Sequence, residues 1–325
     1  MNTIDMAAYA VSSWALHRAA IKLFRDNIRL RRRERVAVVT DRENDPIFAA
    51  LMQACRELGG VPLTVRITPD REHSSPIPRT VAVFNKSNVI VAATDKSITH
   101  SPETVAARKR GARVVSMPTI TPEMFVKAMR ADYEQVKRIT AGLARKLEGS
   151  REIAVTTPSG TSVVLSVEGR VFEADDGDVS KKGLCTNIPA GEIFAAPLET
   201  GARGVIAIDY FKKMLSPKQK AKLSLDKGRI VDCNSAAKPF VKMLGKAGKC
   251  GFVIAELGLG TNPEHRKPVG NVLFDEKIFG SAHIAFGENR SMGGRNACPI
   301  HADVVMMKPT IVVDGRVAMR KGKLV

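Results

Sequence analysis

Aromatic side chains are scarce in this chain of 325 residues: one Trp, three Tyr and twelve Phe, 5% in all. That leaves no row of stacking platforms of the kind on which single-stranded nucleic acid is held. No apolar run reaches about 18 residues, so a membrane-spanning helix of ordinary length is not expected. There is no Gly-x-x-x-x-Gly-Lys-Ser/Thr, and the first strand pattern runs into TDREND rather than Gly-x-Gly-x-x-Gly. A phosphate loop and a dinucleotide fingerprint are therefore both missing. The five cysteines (Cys55, Cys185, Cys233, Cys250, Cys298) are scattered, odd in number and form no Cys-x-x-Cys. This distribution predicts neither a disulfide framework nor a zinc ribbon, and points to a reducing cytoplasm. The opening MNTIDMAAYAVSSWALHRAA lacks a basic n-region and predicts a helix, not a signal peptide.

Charge is present in excess of one sign. The formal net charge is +18. Residues 1–150 carry 25 Lys+Arg against 15 Asp+Glu, and the rest 26 against 18, so no tail holds the excess. The densest cluster, Arg29, Arg31, Arg32, Arg33 and Arg35, reads as the solvated exit of a helix. An anionic substrate, an oligomer partner and an incidental nucleic-acid contact are the other readings.

The first half alternates strand and helix patterns. RVAVVT, VPLTVRI, NVIVAAT and ARVVSM are strands. Asp45 before Pro46 and Ser101 before Pro102 are helix starts, with an N-cap side chain and Pro at the first helical position. ITPEMFVKAM and a long polar helix through Leu147 close this half. Such alternation predicts an α/β domain with a doubly wound parallel sheet over residues 1–149. Near Ser150 the pattern changes. EIAVTTPSGTSVVLSVEG reads as a hairpin, short apolar runs follow, and one helix interrupts them near Ala236–Leu244. Residues 150–325 are thus expected to form a mainly β (α+β), metal-binding domain.

The chemistry-bearing residues gather in that second half. In AHIAFGENR, His283 ends an apolar, small-residue stretch. In CPIHADVVM, His301 and Asp303 are two apart before a β-branched run, so a strand turns both to one face. Two imidazoles and a carboxylate suit a Zn²⁺ hydrolase with an open position, and equally a non-haem Fe(II) oxygenase. Glu192 follows Gly191 in NIPAGEIFAAP, and Glu256 lies inside the apolar FVIAELGLGTNP. A carboxylate in such a setting is paired with a cation, bound to metal or turned to solvent. His17, His73, His100 and His265 lie outside such settings and are expected to be surface or capping residues. Cys298 has no histidine at a spacing that would activate it as a nucleophile.

NIPAGEIFAAP, AELGLGTNP, LFDEKIFGSAHIAFG and the His-x-Asp segment resemble, in that order, the metal-site motifs of the leucyl aminopeptidase/aminopeptidase T and S metallopeptidases. The likeness covers about Asn187–Val312 clearly and the first half only in its α/β pattern. It implies that Glu192, Glu256, His283, His301 and Asp303 hold one or two divalent ions (Zn, Co or Mn), with Glu192 as ligand or catalytic base. It also implies a short peptide substrate and a homodimer that encloses the site. One departure stands out. The family's tyrosine ligand, seven residues after the HIA histidine, is here Arg290. A guanidinium stays protonated and cannot replace a phenolate on a metal, but it can grip a substrate carboxylate. A relative on the same fold, 2,5-dihydroxypyridine 5,6-dioxygenase, cleaves an aromatic ring with one Fe(II). Its ligands correspond to His283, His301 and Asp303 only, and it lacks the counterpart of Glu192.

The first expectation is therefore an aminopeptidase-like hydrolase with a metal-activated water, Glu192 or Glu256 carrying the proton to the leaving amine. The alternative is a mononuclear Fe(II) dioxygenase acting on a dihydroxypyridine- or catechol-like ring. A basic nucleic-acid-binding protein without catalysis is the third, and the intact ligand set argues against it.

Overall fold

A computed structural model describes residues 11–325 apart from His73. The helix expected from Ala7 is found as α1 (Ser13–Lys22), capped by the Ser12 hydroxyl, and its first residues lie outside the described ones, as does the expectation for His73. The next elements are β1 (Arg35–Thr40), α2 (Pro46–Glu57), β2 (Val61–Arg66), α3 (Val81–Phe84), β3 (Val89–Thr94), α4 (Pro102–Lys109), β4 (Arg113–Pro118), α5 (Pro122–Ala128) and α6 (Tyr133–Leu147). Asp45 caps α2 through the Ile47 N–H, and Ser101 caps α4 through the Thr104 N–H, each with Pro at the first turn.

The strands that follow are β5 (Glu152–Thr156), β6 (Ser162–Ser166), β7 (Glu173–Asp175), β8 (Cys185–Asn187), β9 (Glu192–Ala195), β10 (Ala202–Ile208), β11 (Ala221–Asp226) and β12 (Arg229–Cys233). After α7 (Lys238–Gly245) come β13 (Ile254–Gly260), α8 (Val272–Asp275), β14 (Ala282–Gly287), β15 (His301–Met306), β16 (Thr310–Val313), β17 (Arg316–Arg320) and β18 (Lys323–Leu324).

These form three sheets. The first is parallel, in the order β2-β1-β3-β4-β8. Its strands β1, β3 and β4 are almost wholly buried, as expected where crossover helices cover both faces. Its core includes Val39, Phe84, Ile90, Ile98 and Val114. The other two are antiparallel: eight strands ordered β12-β11-β10-β6-β5-β16-β17-β18, and five ordered β15-β14-β13-β9-β7. The two-part α/β architecture read from the sequence is thus the one observed.

The chain divides elsewhere than at 149/150. One compact unit comprises the described residues up to Arg130 with Asp178–Pro189, the other Ala131–Gly177 with Ala190–Val325. The reason is local. Leu143 and Leu147 of α6 pack into the core of the second unit, and β8 returns to pair with β4 of the first. A second correction concerns cysteine. Cys250 and Cys298 are bridged, with Cα atoms 5.6 Å apart, whereas Cys55, Cys185 and Cys233 form no disulfide. Forty-eight residues separate the pair, so spacing gave no hint of it. No helix among the described residues is long and apolar enough to cross a membrane.

Candidate metal centre

The sheet β15-β14-β13-β9-β7 has two unlike faces, and register assigns each residue to one. His283 stands opposite Gly258 on β13 and Val305 on β15. Asp303 faces Ala285, and His301 faces Gly287. Glu256 also faces Ala285, Glu192 faces Gly260, and Asp175 faces Glu192. With a period of two, His301, Asp303, His283, Glu256, Glu192 and Asp175 all fall on one face. The opposite face carries Ile193, Leu257, Leu259, Ala282, Ile284, Phe286, Ala302, Val304 and Met306, all part of the hydrophobic core. That apolar face fixes the register, since a slip of one residue would turn it to the wrong side.

The residues between the ligand-type side chains are small for a reason. A Cβ on Gly258 would overlap the His283 imidazole, which lies across the strand at that point. A Cβ on Gly260 would overlap the carbonyl of Ile278, so the backbone after α8 passes close over β13 only because Gly260 has no side chain. Gly191 precedes Glu192 at φ +121°, against Asn262. The AELGLG pattern is thus a cradle for one imidazole and one loop. Gly258→Ala is expected to displace His283 and lower divalent-metal affinity by at least about tenfold, with the fold retained. Isothermal titration of the metal-free protein measures this, and wild-type affinity would refute the cradle.

Glu256 links the two imidazoles. Its Oε1 lies 3.2 Å from His283 Nε2 and its Oε2 3.1 Å from His301 Nε2. His301 Nε2 is also 3.4 Å from Asp303 Oδ1, and His283 Nε2 is 3.4 Å from Glu192 Oε2. The His301 Nδ1–H donates to the Glu288 carbonyl at 2.7 Å, which directs Nε2 inward. His283 is fully buried, whereas the His301 side chain is 29% exposed and forms the open edge.

Burial alone would raise the Glu256 carboxyl, but hydrogen bonds from His283 and His301 outweigh it and hold the group well below the usual carboxylate range. The same contacts act on the imidazoles. Burial opposes their charge, yet the Glu256 hydrogen bond and the nearby carboxylates raise His283 to about 9. Asp303 and Glu256 likewise raise His301 well above its ordinary value. Glu276 is pushed up to about 8, first by burial and then by Glu192 and Asp303, with Lys277 opposing.

Donor atoms within 4.8 Å of one another form three overlapping groups: Glu192, Glu256 and His283; Glu256, His301 and Asp303; Glu276, His283 and Asp303. Imidazole nitrogens with carboxylate oxygens fit a first-row divalent ion such as Zn²⁺, Mn²⁺ or Fe²⁺. All five metal-site residues expected from the sequence are brought together. Arg290 is placed differently. It is exposed on the turn Arg290–Met292, its own N–H donating to the Glu288 carboxylate. His265 is buried against Phe274 rather than at the surface, as its place in the sequence had implied. Sequence reasoning missed Glu276, Lys277 and Asp175. The Asp-Glu-Lys triplet inside an apolar run is the only local signal for the first two.

A model of the family described as NicX: 2,5-dihydroxypyridine 5,6-dioxygenase matches residues 19–325. The chain belongs to this family. It is an enzyme family by that description, and the chain is 21% identical over 243 residues to the 2,5-dihydroxypyridine 5,6-dioxygenase of Pseudomonas putida KT2440, covering 70% of this chain and 68% of that one. The solved structure of the Pseudomonas putida KT2440 enzyme superposes with a TM-score of 0.83 at 19% identity, over 97% of this chain and 98% of that one. Wild-type AmpT from Thermus thermophilus superposes with a TM-score of 0.70 at 15% identity, over 96% and 99%. These two likenesses establish the shared fold. The likeness to the ring-cleaving enzyme, expected from the motifs, is thus found at the level of sequence, and that to AmpT as a shared fold.

Proposed function

We propose that this chain is a metal-dependent ring-cleaving dioxygenase acting on a dihydroxypyridine- or catechol-like aromatic. The observation that carries the proposal is the convergence of two imidazoles and Asp303 on one sheet face in a chain of the dioxygenase family. His283, His301 and Asp303 hold the ion, and Glu256, touching both imidazoles, keeps them aligned. Fe(II) held by these residues would bring O₂ and an aromatic diol to one centre, and the ring being cleaved would itself supply the electrons that reduce O₂. The exposed edge at His301 is the side from which a planar ring approaches, and Arg290, next to the loop that anchors His301, faces solvent where an anionic substrate group arrives. A homodimer belongs to the same proposal, whereas the cytoplasmic location expected from the cysteine distribution loses that support with the Cys250–Cys298 bridge, and the spread-out positive charge is assigned to solubility and anionic substrate rather than to nucleic acid.

Glu192 and Glu256 beside the imidazoles favour a second reading, the aminopeptidase-like hydrolase with Zn, Co or Mn. One experiment separates the two. Metal-stripped protein is reloaded anaerobically with Fe(II), and oxygen uptake is followed with 2,5-dihydroxypyridine. In parallel, protein loaded with Zn²⁺, Co²⁺ or Mn²⁺ is offered dipeptides and amino-acid amides. Oxygen uptake matched by loss of the aromatic absorbance is expected. Metal-dependent release of an N-terminal residue, without oxygen uptake, would transfer the assignment to the hydrolase.

A further inference from the structure

The Lys277 side chain is wholly buried, at 0% exposure, on the ligand-bearing face of the sheet. Its Nζ lies 2.5 Å from Glu192 Oε1, 2.8 Å from Glu276 Oε1 and 3.8 Å from Asp175 Oδ2. An ammonium this deep is tolerated only when carboxylates surround it, and each contact here is such a carboxylate. Its backbone is fixed as well. The Lys277 N–H donates to the Phe274 carbonyl, its own carbonyl accepts from the Asn262 N–H, and the segment crosses β13 where Gly260 lacks a Cβ.

These anions adjoin the donor groups already described. Glu192 belongs to the group with Glu256 and His283, and Glu276 to the group with His283 and Asp303. The face therefore offers more carboxylates than one ion needs, enough for a second cation about one side chain away. We infer that the Lys277 ammonium occupies the second cation position, tying Glu192, Glu276 and Asp175 so that the centre takes one divalent ion, on His283, His301 and Asp303. This rests on the reading of the cluster as a metal centre and defines its nuclearity. Glu192 becomes a positioning residue. Its Oε1 holds Lys277, and its Oε2, which accepts no hydrogen bond among the described residues, faces His283 at 3.4 Å.

The test uses the full chain and Mn²⁺ alone as the probe. Metal-stripped protein is dialysed to equilibrium against saturating Mn²⁺, and ions per chain are counted by elemental analysis. Wild type is expected to hold one. Lys277→Met removes the cation shared by Glu192, Glu276 and Asp175 and is expected to hold two, returning to one in Lys277→Met combined with Glu192→Gln. Should the methionine variant fail to fold, Glu192→Gln alone decides. It keeps one Mn²⁺ with affinity changed less than the about 10–100-fold that follows loss of a ligand's supporting partner. Loss of the ion in Glu192→Gln overturns the inference. So does a folded Lys277→Met protein that still binds one ion. Two ions in the wild type overturn it alone, and no ion in the wild type overturns it together with the metal-centre reading.

Discussion

Replacing His301 with alanine is expected to lower affinity for a divalent ion by at least about 100-fold, the loss of a direct ligand exceeding that of a supporting partner. The fold should survive, because of where the residue sits. His301 lies on edge strand β15, its side chain 29% exposed, so its removal admits water rather than leaving a cavity. Its two ring nitrogens meet only polar atoms in the interactions described, Glu288 O on one side and Glu256 with Asp303 on the other. His283→Ala is a poorer test, since that imidazole is fully buried and lies across Gly258, and its loss would empty a packed site. Elemental analysis after dialysis, with circular dichroism as the control for folding, reads the result. Metal content unchanged from wild type would remove His301 from the ligand set.

The second large effect is on pH. In the metal-free protein His283 titrates near 9 and His301 is also raised, so both are protonated at neutral pH and a metal must displace those protons. Release of two protons makes the apparent metal affinity climb by up to about 100-fold per pH unit below that range. The metal-free fold behaves oppositely. A histidine raised from 6.5 contributes stability that is complete below 6.5 and is lost as pH rises through about 9. Glu276, raised from 4.5 to about 8, adds loss in the same direction between those values. Glu256 is lowered, so its contribution is present above 4.5 and lost only as pH falls below that value. The melting temperature of chelator-treated protein is therefore expected to decline from pH 5 to pH 9, while the increment produced by added metal grows. A metal-free melting temperature that rises over that interval would contradict the proton-loaded cluster.

The ligand face was legible where the information is local. His301-x-Asp303 needs only the period of a strand, and Glu192, Glu256 and His283 each sit in a short apolar run where an ionisable group is conspicuous. The strand–helix alternation was legible for the same reason, and so were the capped starts of α2 and α4. What escaped depends on register or on distant contacts. Lys277 looks like one cation among 51 until Gly260 is seen to let its loop cross the sheet. Asp175 acquires its place by pairing opposite Glu192, seventeen residues later in the chain. The Cys250–Cys298 bridge and the return of β8 to the parallel sheet join segments whose sequences do not announce each other. The long helix α6 reads as polar, yet Leu143 and Leu147 on its buried side commit it to the second unit.

The separation of the ligand sheet into one apolar and one ionisable face has a consequence for how such a chain changes over time. Ile284, Leu257 and Val304 hold the architecture without meeting the donors, and the donors are borne by alternate positions that the core never sees. A replacement at 192, 256, 277 or 290 can therefore alter which ion or molecule is accepted while leaving the interior packing intact. A scaffold divided in this manner is open to chemical revision one side chain at a time, so one frame can carry more than one chemistry.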